Sequence, residues 1–111
     1  FSGEFETIYS ILKHLISNAV KYRSLENNSQ IHVTFSRNQN ATLIEVADNG
    51  IGIHPDNIDQ IFNKGYRASN SVEGYGLGLY FIQRCLKRSH GSISVESELN
   101  RGSKFSIALQ H

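Results

Sequence analysis

The feature that most constrains this chain is a change in the spacing of its apolar residues. Over residues 5–22, Ile8, Ile11, Leu12, Leu15, Ile16, Ala19 and Val20 recur at intervals of three and four, the period of a helix with one buried face. From Ile31 the interval becomes two, as Ile31, Val33 and Phe35 alternate with His32, Thr34 and Ser36; that is the pattern of a half-buried strand. The helical interval returns with Leu77, Leu79, Tyr80, Ile82, Cys85 and Leu86. A chain that obeys both periods must bury helix stripes against one face of a sheet.

Turn chemistry divides the rest. Asn38 to Asn40 separates the strand at 31–36 from a second at 42–47, and Asn100-Arg101-Gly102 separates strands at 92–97 and 103–109. Residues 48–53 read as a glycine-bearing loop, Pro55 as the start of a short helix ending near Phe62, and residues 63–74 as an exposed, mobile loop. The helix after Gly76 is expected to run to about His90, with Gly91 as its terminator. Adjacent strand pairs imply hairpins. The predicted fold is therefore α+β: a two-layer α/β sandwich whose mixed, mostly antiparallel sheet is covered by helices on one face, forming one domain over residues 1–111.

Composition narrows the function classes. A net charge of +1, with eleven Lys and Arg scattered along 111 residues, gives no basic stripe for nucleic acid. No apolar run approaches the ~20 residues of a membrane span, so no direct membrane contact is expected of this domain. A single Cys85 cannot close an internal disulfide, and with no signal peptide the expected compartment is the cytoplasm, whether or not a parent protein is membrane-anchored. The chain has no Met and begins at Phe1 close to helical periodicity, which reads as a piece of a longer protein.

Four patches carry chemistry. On the first helix, residues 14–22 place His14 and Asn18 four apart, on one expected face, with Lys21 and Tyr22 one turn onward; an amide oxygen suits Mg²⁺ and a lysine suits phosphate. At the end of a strand, Asp48-Asn49-Gly50-Ile51-Gly52-Ile53 joins a carboxylate able to accept from an exocyclic amine to glycines that let a ring approach the backbone. A tight turn would use the same glycines. Between loops, Ile61-Phe62-Asn63-Lys64-Gly65-Tyr66-Arg67 offers an aromatic anchor and two cations. Finally, Gly74-Tyr75-Gly76-Leu77-Gly78-Leu79 leads into a helix, whose N-terminal N–H groups favour phosphate. The preceding βαβ unit of a dinucleotide fold is missing, so a Rossmann reading does not fit.

The order of these patches resembles the ATP-binding catalytic domain of sensor histidine kinases, the Bergerat fold. NAVKY at residues 18–22 is similar to the family's N box, DNGIGI at 48–53 to its G1 box, IFNKGYR at 61–67 to its F box and GYGLGL at 74–79 to its G2 box; HGSISVESELNRGSKFSI is similar to its closing hairpin. The resemblance implies Asn18 as Mg²⁺ ligand, Lys21 as a phosphate contact and Tyr22 as a wall of the adenine pocket. It implies Asp48 on the adenine amine, Gly50, Gly52 and Ile53 beside the base, and Ser103 on the adenine side. Phe62 and Arg67 belong to the lid, and Gly74, Gly76, Leu77, Gly78 and Leu79 border the phosphates.

The cofactors so implied are ATP and Mg²⁺. The partners are a phosphoacceptor-histidine domain in the parent protein and a response regulator, in a two-component phosphorelay. No residue of this chain is expected to be the phosphoacceptor. His14 departs from the family's usual Asn, and also from the Glu that activates water in the related gyrase and Hsp90 ATPases; the lid is short. The alternatives are a hydrolytic ATPase of the same superfamily, an anti-sigma serine kinase, and a nucleotide-binding module without catalysis.

Overall fold

The computed structural model describes residues 2–26, 28–63, 78–88 and 90–110, the first four of these by backbone alone. The elements are α1 (Ser2–Lys21), β1 (Ile31–Arg37), β2 (Ala41–Asp48), a 3₁₀ turn (Pro55–Asn57), α2 (Gly78–Arg88), β3 (Gly91–Glu98) and β4 (Gly102–Gln110). The strands form one sheet in the order β1-β2-β4-β3, and every pairing among the described residues is antiparallel. The expected α+β sandwich is present, with α1 packed on β2 and α2 on β3.

Alternation along the strands explains which face the helices cover. Ile44 and Val46 of β2 and Phe105, Ile107 and Leu109 of β4 are buried on the inner face, and the helices close over them with Ile11, Leu15, Ala19, Leu79, Ile82 and Leu86. Charged residues take the outer face, where Lys104 bridges Glu45 and Glu96 at 3.7 and 3.2 Å. The helical layer stops short of β1: Val33 and Phe35, which pair with Val46 and Ile44, remain 47% and 56% exposed.

Two expectations require correction. The helix predicted from Pro55 to Phe62 is a single 3₁₀ turn followed by tight turns. Its backbone bonds run three residues back, Asn57 N to His54 O, Ile58 N to Pro55 O, Gln60 N to Asn57 O and Asn63 N to Gln60 O, because Asp and Asn favour turns over helix interiors. Gly91 does not terminate α2. The left-handed position after the helix is His90, at φ 56°, and Gly91 opens β3, where a Cβ would lie 2.8 Å from Ala108 O. The predicted mobile loop at 63–74 lies, apart from Asn63, outside the described residues.

Candidate functional site: a cavity between the first helix and the strand ends

Register builds the floor of the site. Ile31 pairs with Asp48, Asp48 with Ser103, and Ser103 with Ser97, so these four residues form one row across all four strands at one end of the sheet. Counted by twos from the buried Ile44 and Phe105, Asp48 and Ser103 fall on the helix-covered side. Above them, α1 supplies Asn18 and Ala19, and Tyr22 follows directly after its last residue. The hollow between them is lined by Asn18, Ala19, Tyr22, Asp48, Gly52, Ile53, Ile61, Leu79, Ser103 and Phe105. A mostly apolar hollow with a few convergent polar groups is the usual form of a small-molecule site.

Asp48 is held rather than free. Its Oδ1 accepts from the N–H of Gly50 at 2.8 Å. Partial burial pushes its carboxyl above the ordinary range, and backbone N–H bonds from Gly50 and Ser103 oppose that rise without cancelling it. Asn18 is 7% exposed, and its Nδ2 has no hydrogen-bond partner among the described residues. A buried amide of this kind calls for a ligand or water to complete it.

The loop after Asp48 is fixed on both flanks. Ile51 N–H donates to Tyr22 O at 3.0 Å, tying the loop to the end of α1, and Asn100 N–H donates to Ile51 O at 2.7 Å, tying it to the β3–β4 turn. Asn49 Nδ2 donates to Asn28 O at 2.7 Å and its Oδ1 accepts from Gln30 N–H at 2.8 Å. The glycines answer to this packing. A Cβ on Gly50 would lie 2.5 Å from Tyr22 O, and Gly52 sits at φ 73° with its backbone against Glu98 O. The protein's own chain therefore demands both glycines.

The structure sorts the expected site residues. Asn18, Tyr22, Asp48, Gly52, Ile53, Leu79 and Ser103 share the cavity. Gly50 is buried beside it, Lys21 is exposed at the end of α1, Phe62 is half-buried against the core while its neighbour Ile61 faces the cavity, and Gly78 is the first residue of α2. Arg67, Gly74, Gly76 and Leu77 lie outside the described residues.

His14 and Asn18 do not share a site. Four residues advance a helix by about 400°, leaving a ~40° offset, and the buried stripe of α1 ends at Asn18. His14 is exposed in a separate groove with Thr7, Ser10, Ile11, Phe81, Ile82 and Cys85.

Sequence reading missed Ala19, Ile61, Phe105 and Ser97. Ala19 reads as part of the apolar stripe of the first helix, Ile61 as part of the 61–67 patch, and Phe105 as a residue of the last strand. Ser97 carried a usable signal, since it continues the inner-face alternation of Ile93 and Val95 with a hydroxyl.

The profile of the histidine kinase-, DNA gyrase B- and HSP90-like ATPases matches residues 3–111. The chain belongs to this ATPase family. Among curated relatives, this ATPase domain is 38% identical to the sensor protein RprX of Bacteroides fragilis over 106 residues, 92% of this chain and 20% of that protein. It is 35% identical to the sensor histidine kinase RppB of Synechocystis over 111 residues, 96% of this chain and 24% of that protein. It thus spans about a fifth to a quarter of the relatives' length. Full-length ShkA, solved in complex with AMPPNP, superposes with a TM-score of 0.79 at 28% identity, covering 93% of this chain and 21% of that one. The mycobacterial sensor histidine kinase MprB gives the same TM-score at 20% identity, covering 95% and 72%, and supports the fold. The resemblance to histidine kinase ATP-binding domains read from the four boxes therefore stands.

Proposed function

We propose that this domain binds Mg²⁺-ATP in the cavity below α1 and presents the γ-phosphate to a histidine on a separate phosphoacceptor domain of a two-component sensor kinase. The observation that carries the reading is that Asn18, Asp48 and Ser103, from three different elements, line one cavity. Sequence separation alone does not require that meeting.

In this reading Asp48 accepts from the adenine amine through Oδ2, because Oδ1 is already engaged by Gly50. Ile53, Ile61, Leu79 and Phe105 provide apolar contact for the ring, and Tyr22 walls the same space. Asn18 lies toward the phosphates, with Lys21 exposed at the helix end to neutralise them and the N-terminus of α2 at Gly78 supplying backbone N–H groups. Arg67, Gly74, Gly76 and Leu77 are assigned to the phosphate side on the motif resemblance alone.

The residues fit one Mg²⁺ of the nucleotide-borne kind. No cluster of three or more His, Cys, Asp or Glu that could cage a metal occurs among the described residues, whereas Asn18 at the cavity offers a single amide oxygen. When bound, Mg²⁺ neutralises charge on the phosphate oxygens. Such transfer is accelerated chiefly by positioning, so the domain needs no nucleophile of its own.

Hydrolysis would need a base within reach of water at the phosphates. His14, which stands at that place in the sequence, sits in the groove between α1 and α2 and not in the cavity. This favours the kinase reading over a conformational ATPase. A response regulator would be the next acceptor after the histidine of the parent protein.

The test is to incubate the domain with its parent's phosphoacceptor domain and γ-labelled ATP. Acid-labile phosphate on the acceptor domain is expected, with little free phosphate from the isolated ATPase domain. Brisk phosphate release by the isolated domain, or no retention of ATP at millimolar concentration, would overturn the assignment.

A further inference from the structure

Ser97 makes three close contacts at the back of the site. Its Oγ accepts from Ile53 N–H at 2.8 Å, donates to Gly102 O at 3.0 Å, and lies 2.8 Å from Ser103 Oγ. A serine hydroxyl has one proton and two lone pairs. A carbonyl oxygen can only accept, so when the Ser97 proton goes to Gly102 O the Ser103 contact must run the other way, with Ser103 donating to Ser97. In that arrangement Ile53, Ser97 and Ser103 each place their proton on a protein acceptor, and the Ser97 oxygen is saturated. The alternative, Ser97 donating to Ser103, frees the Ser103 proton and gives up the bond to Gly102.

Ser103 lines the cavity and pairs with Asp48 in the adjacent strand. With its proton committed to Ser97, it turns only lone pairs toward a ligand. Asp48 Oδ2 is likewise an acceptor. The wall at this end of the sheet then consists of two acceptors side by side.

We propose that Ser97 is a positioning residue that holds Ser103 as an acceptor, so that the Asp48–Ser103 wall selects a purine bearing an amine over one bearing a keto oxygen. The inference rests on the nucleotide reading above and adds the source of base specificity, together with a residue that lies behind the cavity wall. An amine offers two protons to two acceptors. A keto oxygen in the same place meets lone pairs on both sides, unless the Ser103 proton is released to it.

The experiment compares Mg²⁺-ATP with Mg²⁺-ITP, which carries a keto group where ATP has its amine, by titration calorimetry. Wild type is expected to prefer ATP. Ser97→Ala should narrow the ATP-to-ITP affinity ratio by about tenfold, Ser97→Thr should keep it, and Ser103→Ala should narrow it similarly. In the Ser103→Ala background, adding Ser97→Ala should change the ratio no further. Circular dichroism on each variant confirms a folded domain, and the Thr variant keeps the test open if Ser97→Ala unfolds.

Equal loss of both nucleotides in Ser97→Ala would reduce Ser97 to a tether of the Ile53 loop and overturn the inference. So would an effect of Ser97→Ala on the ratio that persists without the Ser103 hydroxyl. Wild type that binds ATP with an unmoved ratio in Ser97→Ala overturns this inference alone, whereas wild type that binds neither nucleotide overturns the nucleotide reading with it.

Discussion

The N–H of Gly50 reaches back 2.8 Å to Oδ1 of Asp48, two residues earlier, and in doing so assigns the two carboxylate oxygens different work. One oxygen shapes the loop. In the nucleotide reading the other faces the ligand. This division predicts how the side chain responds to an isosteric change.

In Asp48→Asn, the amide oxygen can keep the Gly50 bond, which turns the NH₂ toward the ligand's amine, donor against donor. ATP affinity should fall by roughly 10- to 100-fold, the cost of one mispaired buried polar contact. Calorimetric titration with an ATP analogue measures it. The unliganded variant should be no less stable than wild type at neutral pH in urea denaturation, since burial opposes the charge on Asp48.

The pH dependence has a definite sign. Asp48 has its folded carboxyl raised above the ordinary carboxylate value of 3.8, chiefly by burial. The stability that follows from this is fully present below the unfolded value and is lost as pH rises through the folded one. ATP binding runs oppositely, because a proton on Oδ2 blocks the amine. Affinity should therefore weaken as pH falls into the raised carboxyl range, and Asp48→Asn should lack this dependence; a titration series from pH 7 to pH 4 decides it.

Asn18→Leu separates function from stability. Replacing a buried amide that lacks a partner on Nδ2 among the described residues with an apolar side chain should leave the unliganded domain unchanged or more stable by about 1 kcal/mol. Thermal melting should then show the usual nucleotide-induced rise in wild type and none in the variant with Mg²⁺-ATP. A variant that melts lower without ligand and still rises with Mg²⁺-ATP would remove Asn18 from the site.

Gly102→Ala tests the close approach beneath Asp48. Gly102 sits at φ 121°, and a Cβ there would fall on the backbone oxygen of Asp48. Backbone must move on both strands, so stability should drop by roughly 2–4 kcal/mol in urea unfolding. ATP binding should weaken in the molecules that still fold.

Leu86→Ala probes the core. Leu86 is fully buried between α2 and the sheet, and its truncation should cost about 2–5 kcal/mol. In a domain of this size that is a large part of total stability. A loss under 1 kcal/mol by chemical denaturation would mean that α2 is not docked as described.

Local pattern alone determined much of this protein. The period of three and four fixed the buried stripe of α1 through Ile11, Leu15 and Ala19, and the period of two put Ile31, Val33 and Phe35 on one face of β1, because helix and strand geometry follow from backbone sterics within a few residues. The four boxes were legible for the same reason, as each is a short run held by one turn or one helix end. Asn18 and Asp48 could be named from them directly.

Tertiary structure decided the rest. Whether the edge of a helical stripe is covered depends on where neighbouring elements lie, so only the packed molecule separates Asn18, inside the cavity, from His14, outside it. Strand register across β2, β4 and β3 brings Asp48, Ser103 and Ser97 into one row, although the first and last of them in the chain are 55 positions apart (103 − 48). The reason for the glycines at 50 and 52 is likewise non-local: the obstacles are Tyr22 O and Glu98 O, backbone atoms brought near by folding. Periodicity specifies a face, and only the packing of faces against one another specifies a site.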